Sequence, residues 1–176
     1  ASDVYKRQSV RRLLERPMVH AALRHSASAD QRFVHLGSNI GTETFYVSLG
    51  SGLGDVRAAG YDLLCSLVRR ADALRDKYGL DASRVAFYCA DALAANLSDV
   101  GVAWLDNQAW DPPFMRSMYA KLARELPEGA VLVDFAALDA QFDYPRTWHD
   151  QATSAAVSAT SAAAAAEAAA LEVIGC

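Results

Sequence analysis

Short apolar runs alternate with helix-like segments along most of this chain. The apolar runs predict five strands at residues 33–36, 57–63, 84–89, 100–105 and 130–135, and a sixth beginning at 171–174. Unbroken apolar strands, each followed by a helix or a long connection, favour a parallel sheet covered on both faces. The pattern therefore predicts an open, mostly parallel α/β sheet, whose ligands would bind beyond the carboxyl ends of the strands.

Apolar positions three and four residues apart predict the helices. Residues 9–25 form a weak amphipathic pattern that Pro17 interrupts, and residues 42–49 can form a short helix. A third helix is predicted from Leu64 to about Gly79, and a fourth opens at Pro112 and ends near Pro127. The expected buried faces are Leu67, Val68, Ala71, Leu74 and Tyr78 in the third helix, and Phe114, Met115, Met118, Tyr119 and Leu122 in the fourth.

Composition narrows the class of protein. The chain has 176 residues, which is the size of one domain, and a formal net charge of −4, which gives no global reason to expect nucleic-acid binding. No apolar run is long enough to span a membrane. Cys65 and Cys89 lie in apolar segments, so we expect them to be free, buried thiols in a protein of a reducing compartment. No spacing of cysteine and histidine residues suggests a metal site. A monomer is expected.

Changes in composition and in the hydrophobic pattern along the chain predict its domain boundaries. Residues 1–8 contain a string, DVYKRQ, that resembles a translated sequencing adapter and is set aside. Residues 9–30 are an N-terminal helix and connector, and residues 31–148 are the core. Residues 149–170 are alanine-rich and of low complexity, and residues 171–176 begin a final strand. We expect the domain to be truncated at both ends.

Two glycine-rich segments could approach a nucleoside, FVHLGSNIG at 33–41 and YVSLGSGLG at 46–54. The acid that holds the ribose hydroxyls belongs about 20 residues past such a loop, at the end of the second strand. Asp62 lies 21 residues after Gly41 but only eight after Gly54, too few for a parallel crossover. The spacing therefore selects the first loop, although an ordinary strand-to-helix turn remains the alternative.

Two later positions fit the same edge of the sheet. Asp91 follows the third strand, where a carboxylate can accept from an adenine amino group or simply cap a turn. The segment DNQAW at 106–110 follows the fourth strand, where a second substrate would arrive. Its amide, acid and indole exceed what a turn needs, but a structural role is the alternative.

Together these segments resemble the disruptor-of-telomeric-silencing family of non-SET histone lysine methyltransferases. The resemblance covers about residues 31–138 and is most specific in the Asn-x-Ala-aromatic segment at Asn107 to Trp110. It implies a Rossmann-like methyltransferase fold, S-adenosyl-L-methionine as cofactor, histone H3 in the nucleosome as partner, and a nuclear location. His35, Asn39 and Asp106 depart from the family motifs, and the upstream Tyr-Gly-Glu loop and a lysine-rich flank are absent from the sequence.

The resemblance also implies residue roles. Asn107 and Trp110 would form the catalytic passage where the acceptor amine meets the methyl group. The cofactor would be held by Phe33, His35, Gly37, Ser38, Asn39, Gly41, Thr42, Asp62, Asp91 and Ala92. Alternatives are a methyltransferase of the same fold acting on a small molecule or another protein, a non-catalytic module, and, most remotely, a nicotinamide-dependent dehydrogenase.

Overall fold

The computed structural model describes residues 10–50, 56–134 and 173–175, and it contains a six-stranded sheet. The strands are β1 (Arg32–Leu36), β2 (Arg57–Asp62), β3 (Val85–Cys89), β4 (Val100–Leu105), β5 (Val131–Asp134) and β6 (Val173–Gly175). Their order across the sheet is β3-β2-β1-β4-β5-β6, and every pairing is parallel. The predicted open parallel α/β fold is confirmed.

The strand order reverses direction next to β1. The chain moves outward from β1 to β2 and β3, then returns to place β4 on the other side of β1. Such a switch point leaves a crevice at the carboxyl ends of the two central strands, because the connections leave in opposite directions. The turns after β1, β2, β3 and β4 all open at this edge.

The helices lie where the periodicity predicts them. They are α1 (Pro17–Ser28), α2 (Thr42–Phe45), α3 (Cys65–Lys77) and α4 (Pro112–Glu125), with a π-helical turn at Tyr46–Gly50 and a 3-10 turn at Ala92–Ala94. The predicted interruption at Pro17 is present. Residues 10–14 form one helical turn, the helical run breaks at residues 15–16, and Pro17 begins α1, because the first helical position needs no backbone N–H.

Both faces of the sheet are covered, which explains the unbroken apolar strands. On one face Val19 and Leu23 of α1 pack with strand residues such as Trp104. On the other face Met118 and Leu122 of α4 pack with the intervening strand positions. In α3, Val68 and Ala71 are buried as predicted, but Tyr78 is 67% exposed because the helix ends at Lys77.

The predictions for residues 1–9, 51–55 and 135–172 lie outside the described part of the chain; they include the adapter-like string, the second glycine loop and the alanine-rich segment. Within the described ranges, no helix has both the length and the apolar character needed to cross a membrane.

Candidate cofactor site at the carboxyl edge of the sheet

The turn after β1 is left-handed at three positions. Gly37, Asn39 and Gly41 have φ values of 82°, 51° and 80°. Glycine has no Cβ to oppose this conformation, and asparagine tolerates it better than most residues. Two successive N–H groups, those of Gly37 and Ser38, donate to the Tyr61 carbonyl at 2.9 Å, so the turn is fastened to β2.

Asp62, the last residue of β2, joins this turn to the next loop. Its Oδ2 accepts from the Asn39 N–H at 2.8 Å, and its Oδ1 accepts from the Leu64 N–H at 2.8 Å. The spacing argument placed Asp62 beside the first glycine loop, and the structure brings the two together. Each carboxylate oxygen has two acceptor sites, so both can accept a further hydrogen bond.

The turn is packed too closely for larger residues. A Cβ on Gly41 would lie 2.3 Å from Phe87 Cε1, and a Cβ on Gly60 would lie 2.7 Å from Ser38 Oγ. A Cβ on Gly37 would lie 2.7 Å from the Asp106 carbonyl oxygen, at the end of β4. The turn is therefore in close contact with β2, with β3 and with the end of β4, so neighbouring parts of the sheet fix its position.

Two residues predicted to contact the cofactor have side chains buried in the core. Phe33 is wholly buried and packs edge-on against Trp104, and His35 is 1% exposed. Their strand positions turn them toward the apolar face beneath the turn. Burial lowers the pKa of His35 to about 3, so its ring is neutral and its 3.8 Å approach to Glu43 is not an ion pair. Both side chains support the turn from below.

The remaining predicted cofactor residues lie at the open edge. Asn39 and Thr42 are exposed, whereas Ser38 is wholly buried. Asp91 is exposed, and its Oδ1 accepts from the Leu93 N–H at 2.8 Å, which caps the 3-10 turn. Ala92 is buried against the core. The cap predicted as the alternative for Asp91 is therefore present, and it uses one of the two carboxylate oxygens.

The predicted acceptor segment begins at the end of β4. Asn107 is 5% exposed, and Trp110 is partly exposed. The backbone N–H of Trp110 donates to the Asn107 carbonyl at 3.0 Å. The indole of Trp110 stacks edge-on against Phe114 at 5.0 Å between ring centroids. Asp106 donates its N–H to the Leu36 carbonyl and so holds this segment beside the turn.

Sequence reasoning missed one buried polar residue and one exposed apolar residue here. Asp134, at the end of β5, is wholly buried and accepts hydrogen bonds from Asn107 and from the hydroxyl of Tyr119. An aspartate closing an otherwise apolar strand was the only signal for this cluster. Leu63, which directly follows Asp62, is 66% exposed, which is unusual for an apolar residue at a strand end.

The prediction of free, buried cysteines was wrong. Cys65 and Cys89 form a disulfide with a Cα–Cα distance of 4.9 Å, and both residues are exposed. The parallel register sets Asp62 opposite Cys89, which brings the start of α3 to the end of β3. The sequence hides this proximity because the cysteines are 24 residues apart.

Comparison with known proteins bears on the fold. No protein-family model and no curated protein matches this chain. Similar solved structures include the methyltransferase SibL in its apo form (15% identity, TM-score 0.54, 73% of this chain and 35% of that one). They also include an RNA methyltransferase from Salinibacter ruber with S-adenosyl-L-homocysteine (22%, 0.49, 65% and 71%). A third is a methyltransferase from Geobacter sulfurreducens with the same ligand (24%, 0.47, 64% and 46%).

The chain spans 35% of SibL and 46% of the Geobacter protein, so the likeness concerns a shared core. At these identities it establishes architecture alone. The parallel sheet, its switch point and the SibL match agree on that architecture. This chain has the Rossmann-like fold of S-adenosylmethionine-dependent methyltransferases.

Proposed function

We propose that this protein binds S-adenosylmethionine and transfers its methyl group to a nucleophile. The observation that carries the proposal is the 2.8 Å hydrogen bond from the Asn39 N–H to Asp62. It unites a left-handed glycine turn and a carboxylate at the switch point, where α/β sheets of this kind bind nucleosides. Neither group alone would indicate a ligand.

The residues present fit the nucleoside part of that cofactor. Asp62 keeps acceptor capacity on both oxygens for a pair of ribose hydroxyls, and Asp91 keeps Oδ2 for an adenine amino group. Leu63, which directly follows Asp62 in the chain, is exposed and adds an apolar surface next to that residue. When bound, the cofactor supplies an electrophilic methyl group.

The protein's own part in the reaction is positioning and exclusion of water. Holding two reactants in line converts a bimolecular step into an effectively unimolecular one. Trp110 and Phe114 form a partly exposed aromatic surface in the segment after β4. The Trp110 backbone N–H donates to the Asn107 carbonyl, which joins this surface to Asn107. An apolar wall favours a neutral amine, because desolvation lowers the pKa of an ammonium group.

For the acceptor, we favour a small molecule or a protein other than a histone. The formal net charge of −4 gives no overall attraction for the DNA of a nucleosome. A histone H3 lysine is the second candidate, and the Asn-Gln-Ala-Trp segment at 107–110 favours it. A nuclear location and a nucleosome partner belong to that candidate only.

Calorimetry with S-adenosylhomocysteine tests the proposal. Asp62→Ala should abolish measurable binding, because it removes both the ribose acceptor and the clamp on the turn. Asp76→Ala is the matched control, since Asp76 lies on the exposed side of α3 and pairs with Arg75. Unchanged affinity in Asp62→Ala would remove Asp62 from the site, and no binding by the wild type would indicate a non-catalytic module.

A second assay separates the acceptors. Tritiated S-adenosylmethionine is offered with intact nucleosomes, free histones, transfer RNA and small primary amines. Label on nucleosomes alone would support the histone candidate, and label on small amines would support our preferred class. Label on transfer RNA would contradict the argument from net charge.

A further inference from the structure

A buried polar cluster lies at the carboxyl ends of β4 and β5. Asp134 is 0% exposed and is paired with Leu105 across the two strands. Its Oδ1 accepts from Asn107 Nδ2 at 2.6 Å, and its Oδ2 accepts from the Tyr119 hydroxyl, which reaches over from α4. Three polar side chains from three elements thus converge beneath the predicted acceptor segment.

The chemistry of Asp134 determines how the Asn107 amide is turned. A carboxylate only accepts hydrogen bonds, so the amide group facing it must be the nitrogen. The amide oxygen is therefore directed away from Asp134. It is buried and has no hydrogen-bond partner within the described residues. Leaving a buried acceptor unpaired is costly, so such an atom calls for a ligand or another explanation.

We propose that Asp134 and Tyr119 are positioning residues that hold the Asn107 amide oxygen ready to accept a hydrogen bond from the methyl acceptor. The inference rests on the proposed function and deepens it. The acceptor would then carry an N–H or O–H on its nucleophilic atom, such as an amine, amide or hydroxyl. The hydrogen bond to Asn107 Oδ1 leaves the proton on the nucleophile and turns its lone pair toward the methyl group. The new bond to the methyl carbon would form as the S–C bond breaks, S-adenosylhomocysteine would leave, and the proton would then be lost to water. Thioethers and carbon nucleophiles lack this donor and are disfavoured.

The test is a double-mutant cycle on Asn107 and Tyr119. Methyl transfer from tritiated S-adenosylmethionine to the four probes named above is measured together with S-adenosylhomocysteine affinity and the melting temperature. Asn107→Ala and Tyr119→Phe should each lower turnover about tenfold or more, the equivalent of one hydrogen bond. S-adenosylhomocysteine affinity should stay within about twofold. Ser117→Ala removes an exposed hydroxyl from the same helix and should change nothing.

A positioning role predicts that the two losses do not add. Tyr119→Phe should lower turnover no further in the Asn107→Ala background, because the proposed role of the Tyr119 hydroxyl is to position that amide. Additive losses, or a lower melting temperature with unchanged turnover, would show that Tyr119 is merely structural. Wild-type protein that binds S-adenosylhomocysteine and methylates the probes while both variants remain fully active would overturn this inference alone. Wild-type protein that binds the ligand but methylates no probe would overturn both this role and the transfer itself.

The Cys65–Cys89 bond carries a second, independent inference. It joins the first residue of α3 to the last residue of β3, on either side of the loop that follows Asp62. The Ala90 N–H donates to the Asp62 carbonyl at 3.1 Å, so the segment leading to Asp91 is fastened to the same strand end. The disulfide therefore braces both carboxylates of the proposed nucleoside site.

We infer that reduction of this bond weakens cofactor binding, which makes the site redox-sensitive. A dithiol supplies two electrons and two protons, the S–S bond breaks to two thiols, and the dithiol becomes a disulfide. Both cysteines are exposed and so are accessible to such a reductant. The inference rests on the proposed function, because it concerns the same ligand.

Calorimetry with S-adenosylhomocysteine before and after treatment with dithiothreitol tests it. Affinity should fall about tenfold on reduction. The Cys65→Ser/Cys89→Ser protein should bind like the reduced wild type and ignore the reductant. Equal affinity in both redox states would overturn the inference, whereas no binding in either state would contradict the proposed function instead.

Discussion

The Phe87 ring occupies the space that any side chain on Gly41 would need. A Cβ there would lie 2.3 Å from Cε1 and 2.5 Å from Cζ of that ring. Phe87 is 7% exposed and packs with Phe45, the last residue of α2, at 5.0 Å between ring centroids. The third strand therefore sets the position of the glycine turn, although the turn belongs to the first.

Gly41→Ala should destabilise the fold by about 3 kcal/mol, from a left-handed φ of 80° and from overpacking against Phe87. Gly79→Ala is the matched control, since Gly79 has a φ of 63° but open space around its Cβ position. It should cost about 1 kcal/mol, from backbone strain alone. Urea unfolding of both variants measures the difference. Equal losses would show that the ring moves aside at no cost.

Asn39 is left-handed without being glycine, and its Oδ1 accepts from the Ile40 N–H at 2.8 Å. Asn39→Ala should cost about 1–2 kcal/mol, because alanine pays the left-handed penalty and loses that bond. Asn39→Gly should stay within about 0.5 kcal/mol of the wild type and keep its affinity for S-adenosylhomocysteine, since the backbone N–H to Asp62 remains. An alanine variant as stable as the glycine variant would contradict a strained turn.

Asp91 combines a cap with a candidate adenine contact, and one substitution separates them. Asp91→Asn can still cap Leu93 through its amide oxygen, but it replaces the second acceptor by an NH₂ donor. Stability should therefore be unchanged while S-adenosylhomocysteine affinity falls about tenfold. Asp91→Ala should lose both, with about 1 kcal/mol less stability. Full affinity in Asp91→Asn would assign Asp91 to the cap alone.

The fold could be predicted from the sequence because strands buried on both faces are apolar at nearly every position. Val100–Leu105 is buried at every position, so the strand is an unbroken apolar run and its predicted bounds match the structure. Asp62 was readable because the crossover sets a minimum length between a loop and the next parallel strand. These features depend on local pattern and chain length, which a single sequence contains.

The buried cluster and the disulfide depend on which strands are neighbours. Asp134 meets Asn107 across 27 residues only because β5 pairs with β4, and Cys89 meets Cys65 because β3 pairs with β2. The hydrophobic periodicity of a sequence does not determine which strands are neighbours in the sheet. The burial of Phe33 and His35 was missed for a related reason, since alternation along β1 turns both side chains toward the core.

His35 makes the fold sensitive to acid. Its pKa is about 3 in the folded protein because burial penalises the charged ring, while an unfolded histidine titrates near 6.5. The unfolded chain therefore binds the extra proton first, and stability is lost as the pH falls below about 6.5. This group alone should lower the free energy of unfolding by about 2 kcal/mol between pH 7 and pH 5.

His35→Leu should reduce the loss by that amount, since neither ring nitrogen has a hydrogen-bond partner within the described residues. Ser117→Ala, at an exposed position of α4, removes no titratable group and should leave the pH dependence as it is. Urea unfolding at the two pH values measures the difference, and an equal loss in wild type and His35→Leu would mean that the ring becomes protonated without leaving the core.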